Sequence, residues 1–186
     1  LVTGGNGGIG LALATGCAAA GADIVLWGRN DTKNHAAVDT LQRWVDAWSF
    51  LCDVADEDVT ERTFAASVEA AGGRIDAVFA NAGTTGIGGQ FTDMDFSEWR
   101  RVMATNLDGT FLTLRAGARH LATGGNGALV AVSSTSAMHG AGGNEAYGTS
   151  KTALVGLVRA LAVSLGHHQI RVNALLPGWA KTELAG

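Results

Sequence analysis

The chain has 186 residues, 47% hydrophobic and 16% charged, with a formal net charge of −4. That is enough for one globular domain with its own core, and too apolar for a disordered chain. A weakly acidic chain without a basic run makes no electrostatic case for nucleic acid or an anionic membrane, and no signal peptide or apolar run of about 18 residues is visible.

In chain order, "LVTGG" (1–5) reads as the tail of an apolar strand entering a glycine turn. The Ala- and Leu-rich run 9–20 predicts a helix, stopped by Gly21 at its C′ position. "DIVLW" (23–27) is a second strand, and 32–46 predicts a helix with Leu41, Trp44 and Val45 as its apolar face. A third strand is predicted over 48–54, a helix over 58–71 from Val59, Phe64 and Val68, and a fourth strand over 74–83. Val102, Met103, Leu107, Phe111, Leu114 and Leu121 recur every three or four residues and predict one long helix over 97–121. "ALVAVSS" (128–134) is a fifth strand, and 146–165 a helix with Leu154, Leu157, Val158, Leu161 and Leu165. "IRVNALLPG" (170–178) is the last strand.

Short strands, apolar on both faces and alternating with helices, predict a parallel sheet covered by helices, with right-handed crossovers. Residues 1–186 read as one domain, incomplete at both ends: Leu1 already looks mid-strand, and "KTELAG" suggests no natural end.

Cys17 and Cys52 make no CxxC, and no His stands at metal-ligand spacing from either. Two reduced thiols in a cytoplasmic protein, and no metal, are the expectation. His167 and His168 are adjacent, point to different helix faces and make a poor metal pair. Trp44, Trp48 and Trp99 read as packing residues.

The 27 glycines are roughly twice the usual share of about 7%. The first cluster, "VTGGNGGIG" (2–10), places Gly4, Gly8 and Gly10 in a GxxxGxG spacing. A glycine-rich turn alone could be only a tight loop. Between a first strand and a first helix it fits a dinucleotide loop, with free N–H groups and the positive helix end facing a pyrophosphate. Strand two then ends in "WGRN". An NAD site usually offers an acid there for the ribose 2′-hydroxyl. Gly28 leaves room for a 2′-phosphate and Arg29 can pair with one, so NADP is favoured over NAD. Arg29 as an ordinary solvated arginine is the alternative.

"AYGTSK" (146–151) holds the chain's only tyrosine and one of its three lysines, Tyr147 and Lys151, one helical turn apart. A phenol titrates near pH 10, too high for a general base at neutral pH. An ammonium at about 4 Å, with an effective dielectric of about 20, contributes roughly 4 kcal/mol toward the phenolate. A tyrosine so prepared can exchange a proton with an alcohol or carbonyl oxygen. The pair alone could equally be an amphipathic Tyr beside an exposed Lys.

The pair is accompanied by TGxxxGIG at Thr3–Gly10, Asp53–Val54, Asn81–Gly83, Asn106, Ser133–Ser134, and Pro177–Gly178 followed by Thr182. In this order and spacing the sequence resembles the short-chain dehydrogenase/reductase family over essentially its whole length. The resemblance implies a Rossmann-type doubly wound α/β fold with strand order 3-2-1-4-5-6. It makes Tyr147 the acid/base. Lys151 would hold the nicotinamide ribose and lower the tyrosine pKa, and Ser134 would orient the substrate oxygen. Asn106 would bend its helix and hold a water linking Lys151 to solvent.

For the cofactor, NADP or NAD, the resemblance implies contacts from Gly4, Asn6, Gly8, Ile9 and Gly10, with Arg29 at the ribose. Asp53 and Val54 would meet the adenine, and Asn81, Ala82 and Gly83 the adenosine ribose. Pro177, Gly178 and Thr182 would hold the carboxamide. Trp179 and His139 are further candidates for the substrate pocket. Gly7 stands where many NADP-preferring members carry a basic residue. The family's seventh strand and substrate lobe do not follow Thr182.

The implied activity is the interconversion of a secondary alcohol and a ketone, by a homodimer or homotetramer packed through the helices carrying Asn106 and Tyr147. Two alternatives stay open: a catalytically silent NAD(P) sensor, and a dehydratase or epimerase. The GxxxGxG spacing argues against the second, and the substrate is left open.

Overall fold

In the computed structural model, residues 1–140 and 142–178 are described. The strands are β1 (Val2–Thr3), β2 (Ile24–Gly28), β3 (Ala47–Leu51), β4 (Ala77–Ala80), β5 (Gly127–Val132) and β6 (Ile170–Leu175). The helices between them are α1 (Gly8–Ala19), α2 (Asp31–Leu41), α3 (Glu57–Ala70), α4 (Phe96–Met103), α5 (Gly109–Gly124) and α6 (Glu145–Ser164). The sheet is parallel, in the order β3-β2-β1-β4-β5-β6. The predicted fold class and strand order both hold.

Side chains alternate across the sheet, and β2 shows it best. Ile24 and Leu26 join Val2, Ala14, Ala18, Ala37 and Leu41 on the α1–α2 side. Val25 and Trp27 join Phe64, Val78, Leu114 and Leu129 on the other. Full burial of an aliphatic side chain such as Leu26 or Leu129 contributes about 1.5–3 kcal/mol. Register is fixed by a polar contact as well: Trp27 Nε1 donates to Ser67 Oγ of α3 at 2.8 Å. A slip of one residue would strand both groups in the core, at about 1–3 kcal/mol.

The first-named face is only partly covered. Phe79, Val130 and Asn173 stand in one row across β4, β5 and β6 and are half-buried or exposed.

Four predicted strands are shorter than expected, stopping at Leu51, Ala80, Val132 and Leu175. The ladder ends there because the neighbouring strands end there. Beyond it the chain turns outward: Asp53 Oδ1 accepts from Ala55 N at 3.1 Å and starts a turn. These strand ends form the carboxyl edge, where open α/β sheets bind ligands.

The helix predicted over 32–46 stops at Leu41, and Trp44 is 58% exposed rather than packed. The chain must leave early because Ala47 pairs with Ile24. The predicted helix 97–121 is α4 and α5 joined by a π-helical turn, Ala104–Asp108, which places Thr105 and Asn106 in the interior. Phe111, assigned to the buried face, is 44% exposed, with the Arg115 guanidinium 5.3 Å from its ring centroid. No helix among the described residues is long and apolar enough to cross a membrane.

Candidate active site

β1 runs directly into the glycine loop. Gly4 has φ +60°, in the left-handed region, and a Cβ there would press at 3.0 Å on Ala82 Cα and Asn81 Nδ2. At Gly10 a Cβ would overlap the Gly4 carbonyl oxygen, so α1 can pack this close only with glycine. The loop is sewn to the end of β4. Thr3 Oγ1 accepts from Asn81 N and Ala82 N at 3.0 Å, and Asn81 Nδ2 donates to Thr3 O at 2.9 Å and Gly4 O at 3.2 Å. Helix α1 opens at Gly8 without a side-chain cap, so its first amides remain for an anion.

Arg29 and Asp53 follow β2 and β3. Their side chains, 65% and 50% exposed, lie 3.9 Å apart as an ion pair. Lys33, on the first turn of α2, lines the same end of the cleft. It is a basic residue that sequence reasoning missed, although it stands four residues after Arg29. Gly28 is not an open position for a side chain. The space a side chain would take there is filled by the amides of Asn6 and Asn34, themselves hydrogen-bonded at 2.6 Å.

At the far end, α6 carries Tyr147 and Lys151. Lys151 is not an exposed helix lysine: it is 4% exposed, and Nζ donates to Val132 O at 2.8 Å. Its main-chain oxygen accepts from Ser133 Oγ at 2.7 Å, so the end of β5 grips both ends of the residue. Burial pushes its pKa down from 10.5 to about 8. Nζ is 5.6 Å from the Tyr147 ring centroid. Ser134 Oγ accepts from Ser136 N at 3.1 Å and lies 3.2 Å from Ser136 Oγ, to which it donates.

Asn106 sits behind this group, fully buried. Its Oδ1 accepts from Thr84 N at 2.8 Å, and its Nδ2 donates to Thr84 O at 2.9 Å and Ser150 Oγ at 3.0 Å. Both amide hydrogens are therefore committed, and the side chain acts here as a strut between the loop after β4 and helix α6.

One cleft of about 380 Å³ joins the two ends. Gly4, Asn6, Gly8, Ile9, Gly10, Arg29, Asp53, Val54, Asn81, Ala82, Gly83, Ser134, Tyr147, Lys151, Pro177 and Gly178 all line it. Asn106 does not; it lies one layer deeper. Thr182 and Trp179 fall outside the described residues. His139 is exposed and lies outside the cleft. Thr105, Val132, Ser133 and Cys52 were not anticipated as lining residues. Burial raises the Cys52 thiol pKa.

The glycine loop, the buried lysine beside a tyrosine and the Pro-Gly edge share one cleft. The sequence model of the short chain dehydrogenases matches residues 1–186. The chain belongs to the short-chain dehydrogenase/reductase family.

Similar family members are named for their chemistry on CH–OH groups. L-rhamnose 1-dehydrogenase (NAD(P)(+)) of Azotobacter vinelandii is 35% identical over 99% of this chain and 73% of its own length. 3beta-hydroxysteroid dehydrogenase of Mediterraneibacter gnavus is 34% identical over 99% and 66%. The crystal structure of NAD+-bound xylitol dehydrogenase matches with a TM-score of 0.93 at 35% identity, over 96% of this chain and 68% of its own. The chain thus spans between 66% and 73% of the length of these three relatives.

Proposed function

We propose that the protein is an NAD(P)-dependent oxidoreductase that interconverts a secondary alcohol and a ketone, with Tyr147 as acid/base. The observation that carries this is the position of Lys151. It is buried at the floor of the cleft, yet its ammonium meets only one acceptor among the described residues, Val132 O. An ammonium has three hydrogens. Two remain for the hydroxyls of a ribose, and the left-handed glycine loop with uncapped α1 forms an anion cradle at the other end.

The residues present therefore fit a nicotinamide dinucleotide. The glycine loop would hold its pyrophosphate, Arg29 and Asp53 its adenosine end, and Lys151 its second ribose. Asn81–Gly83 would flank the adenosine ribose, and Pro177–Gly178 with Thr182 the carboxamide. When bound, the nicotinamide supplies or accepts the hydride. Tyr147 gives a proton to the carbonyl oxygen in reduction and takes it from the alcohol in oxidation. Ser134 orients that oxygen, turning its hydroxyl from Ser136 to do so. Asn106 keeps α6 and the loop after β4 in place, which holds Lys151 and Gly83 together.

We favour NADP over NAD, because Arg29 and Lys33 both line the adenosine end. Assembly into a dimer or tetramer through the helices carrying Asn106 and Tyr147 is proposed on the family resemblance. The alternative, a catalytically silent NAD(P)-binding protein, is disfavoured because Ser134, Tyr147 and Lys151 line the same cleft.

The test is reduction of NADP and NAD by the intact protein with a panel of sugars, polyols, hydroxysteroids and cyclic alcohols. Turnover of any of them supports the oxidoreductase. Tight nucleotide binding without turnover across the panel favours the silent binding protein.

A further inference from the structure

Asn34 is a buried polar residue in the first turn of helix α2, with no place in the chemistry described above. It is 1% exposed. Polar side chains of this kind are kept inside only when their hydrogen bonds are met. Asn34 meets three: Nδ2 donates to Gly28 O at 3.1 Å and to Phe50 O at 3.3 Å, and Oδ1 accepts from Asn6 Nδ2 at 2.6 Å. The two main-chain carbonyls fix which end of the amide is which. Only the NH2 can face them, so only the oxygen can face Asn6. Asn34 therefore ties the ends of β2 and β3 to the glycine loop and sets the orientation of the Asn6 amide.

The hydrogen bond between Asn6 and Asn34 passes over Gly28. A Cβ built there would overlap both Asn6 Nδ2 and Asn34 Oδ1. Gly28 itself is buried in the last position of β2. This is the position from which a dinucleotide fold reaches the ribose 2′-hydroxyl with a carboxylate. Here no side chain of any kind fits while the amide pair is in place. The choice at the ribose passes to Arg29, the next residue, which lies outside the pair.

We infer that Asn34 is a positioning residue for cofactor specificity: with Asn6 it closes the space over Gly28 and so excludes an acidic side chain from the end of β2. The inference rests on the reading of the cleft as an NAD(P) site. It goes beyond that reading by assigning the exclusion to a side chain that does not line the cleft. A carboxylate at position 28 is not enough, because it must first displace the amides of Asn6 and Asn34. Removal of the Asn34 amide has to come with it.

The experiment is a cycle of four intact proteins: wild type, Gly28→Asp, Asn34→Ala and the double variant. Each is titrated with NADPH and NADH and followed by a thermal melt. Gly28→Asp alone is expected to weaken both cofactors by about tenfold or more, since the Asn6 side chain that it displaces lines the cleft beside the glycine loop. Adding Asn34→Ala is expected to recover NADH to within about threefold of wild type while NADPH stays at least about tenfold weaker. Gly28→Asp that inverts the preference by itself, with NADH binding intact, overturns the inference. So does a folded double variant that recovers neither cofactor. If Asn34→Ala melts too low to titrate, Gly28→Ala decides alone: both cofactors should weaken, and unchanged affinity overturns the inference. A wild type that binds neither nucleotide sinks the functional reading, and this inference with it.

Discussion

Lys151 Nζ, on helix α6, donates to the main-chain oxygen of Val132 at the end of β5, 2.8 Å away. This one contact brings the lysine's charge under the cleft and removes it from bulk water. Burial of an ammonium disfavours its charged form, and its pKa falls from 10.5 to about 8.

That fall has a consequence for stability without cofactor. Below about pH 8 the lysine is protonated in both folded and unfolded chains, and contributes no pH dependence. Between about 8 and 10.5 the unfolded chain binds more protons, so this group makes stability rise with pH. At about 1.4 kcal/mol per pKa unit the total is on the order of 3 kcal/mol. The measurement is the melting temperature of wild type minus that of Lys151→Met across this range. The difference should grow with pH; a constant difference contradicts the buried ammonium.

Tyr147→Phe keeps the ring and removes the only group proposed to carry the proton. Turnover should fall by about 10³-fold or more, while cofactor affinity stays within a few fold. The check is kcat beside a direct cofactor titration. A Phe variant that keeps more than about a tenth of wild-type kcat shows that the proton moves elsewhere.

Arg29 is held by Asp53 only through a 3.9 Å contact between two largely exposed side chains. Such pairs are worth about 0–1 kcal/mol, so releasing Arg29 to a 2′-phosphate costs little. A charge-assisted guanidinium–phosphate bond contributes about 1.5–3 kcal/mol. Net of the pair, NADP should be preferred by roughly tenfold. Arg29→Ala should remove that preference and leave NAD almost unchanged, read as kcat/KM for each cofactor. A wild type that prefers NAD refutes the assignment of Arg29.

Asn106→Leu fills the same space but leaves Thr84 N and O without their partner, and Ser150 Oγ with its bond to Tyr147 O alone. Buried groups left unsatisfied cost about 1–3 kcal/mol each, and a domain of this size loses about 2–4 °C per kcal/mol. The melting temperature should fall by roughly 5–10 °C or more. KM for the cofactor should rise as well, because Gly83, next to Thr84, lines the cleft. A variant that melts like wild type leaves the strut without an energetic role.

The alternation of strands and helices could be read from the chain because it rests on local periodicity, two for a strand and 3.6 for a helix. The glycine loop and the Tyr147–Lys151 pair were legible for the same reason. Each is complete within a turn or two of chain, but the role implied for it came from the family resemblance, because residue type and spacing alone left a purely structural reading open. Strand ends were not legible. The strands expected from the apolar runs extend through Cys52, Asp53, Ser133 and Pro177, but a strand stops where its neighbours stop, and the neighbours are far off in sequence.

The largest differences lie at two residues. Spacing put Lys151 one turn from Tyr147, and the contact with Val132, 19 residues away, buried it. Sequence left Gly28 looking open, because glycine has no side chain. In the fold, Asn6 and Asn34, 28 residues apart and on two other elements, meet in that space. Residue type can say that a position is empty; only the packing of a loop and a helix against a strand end can say what fills it.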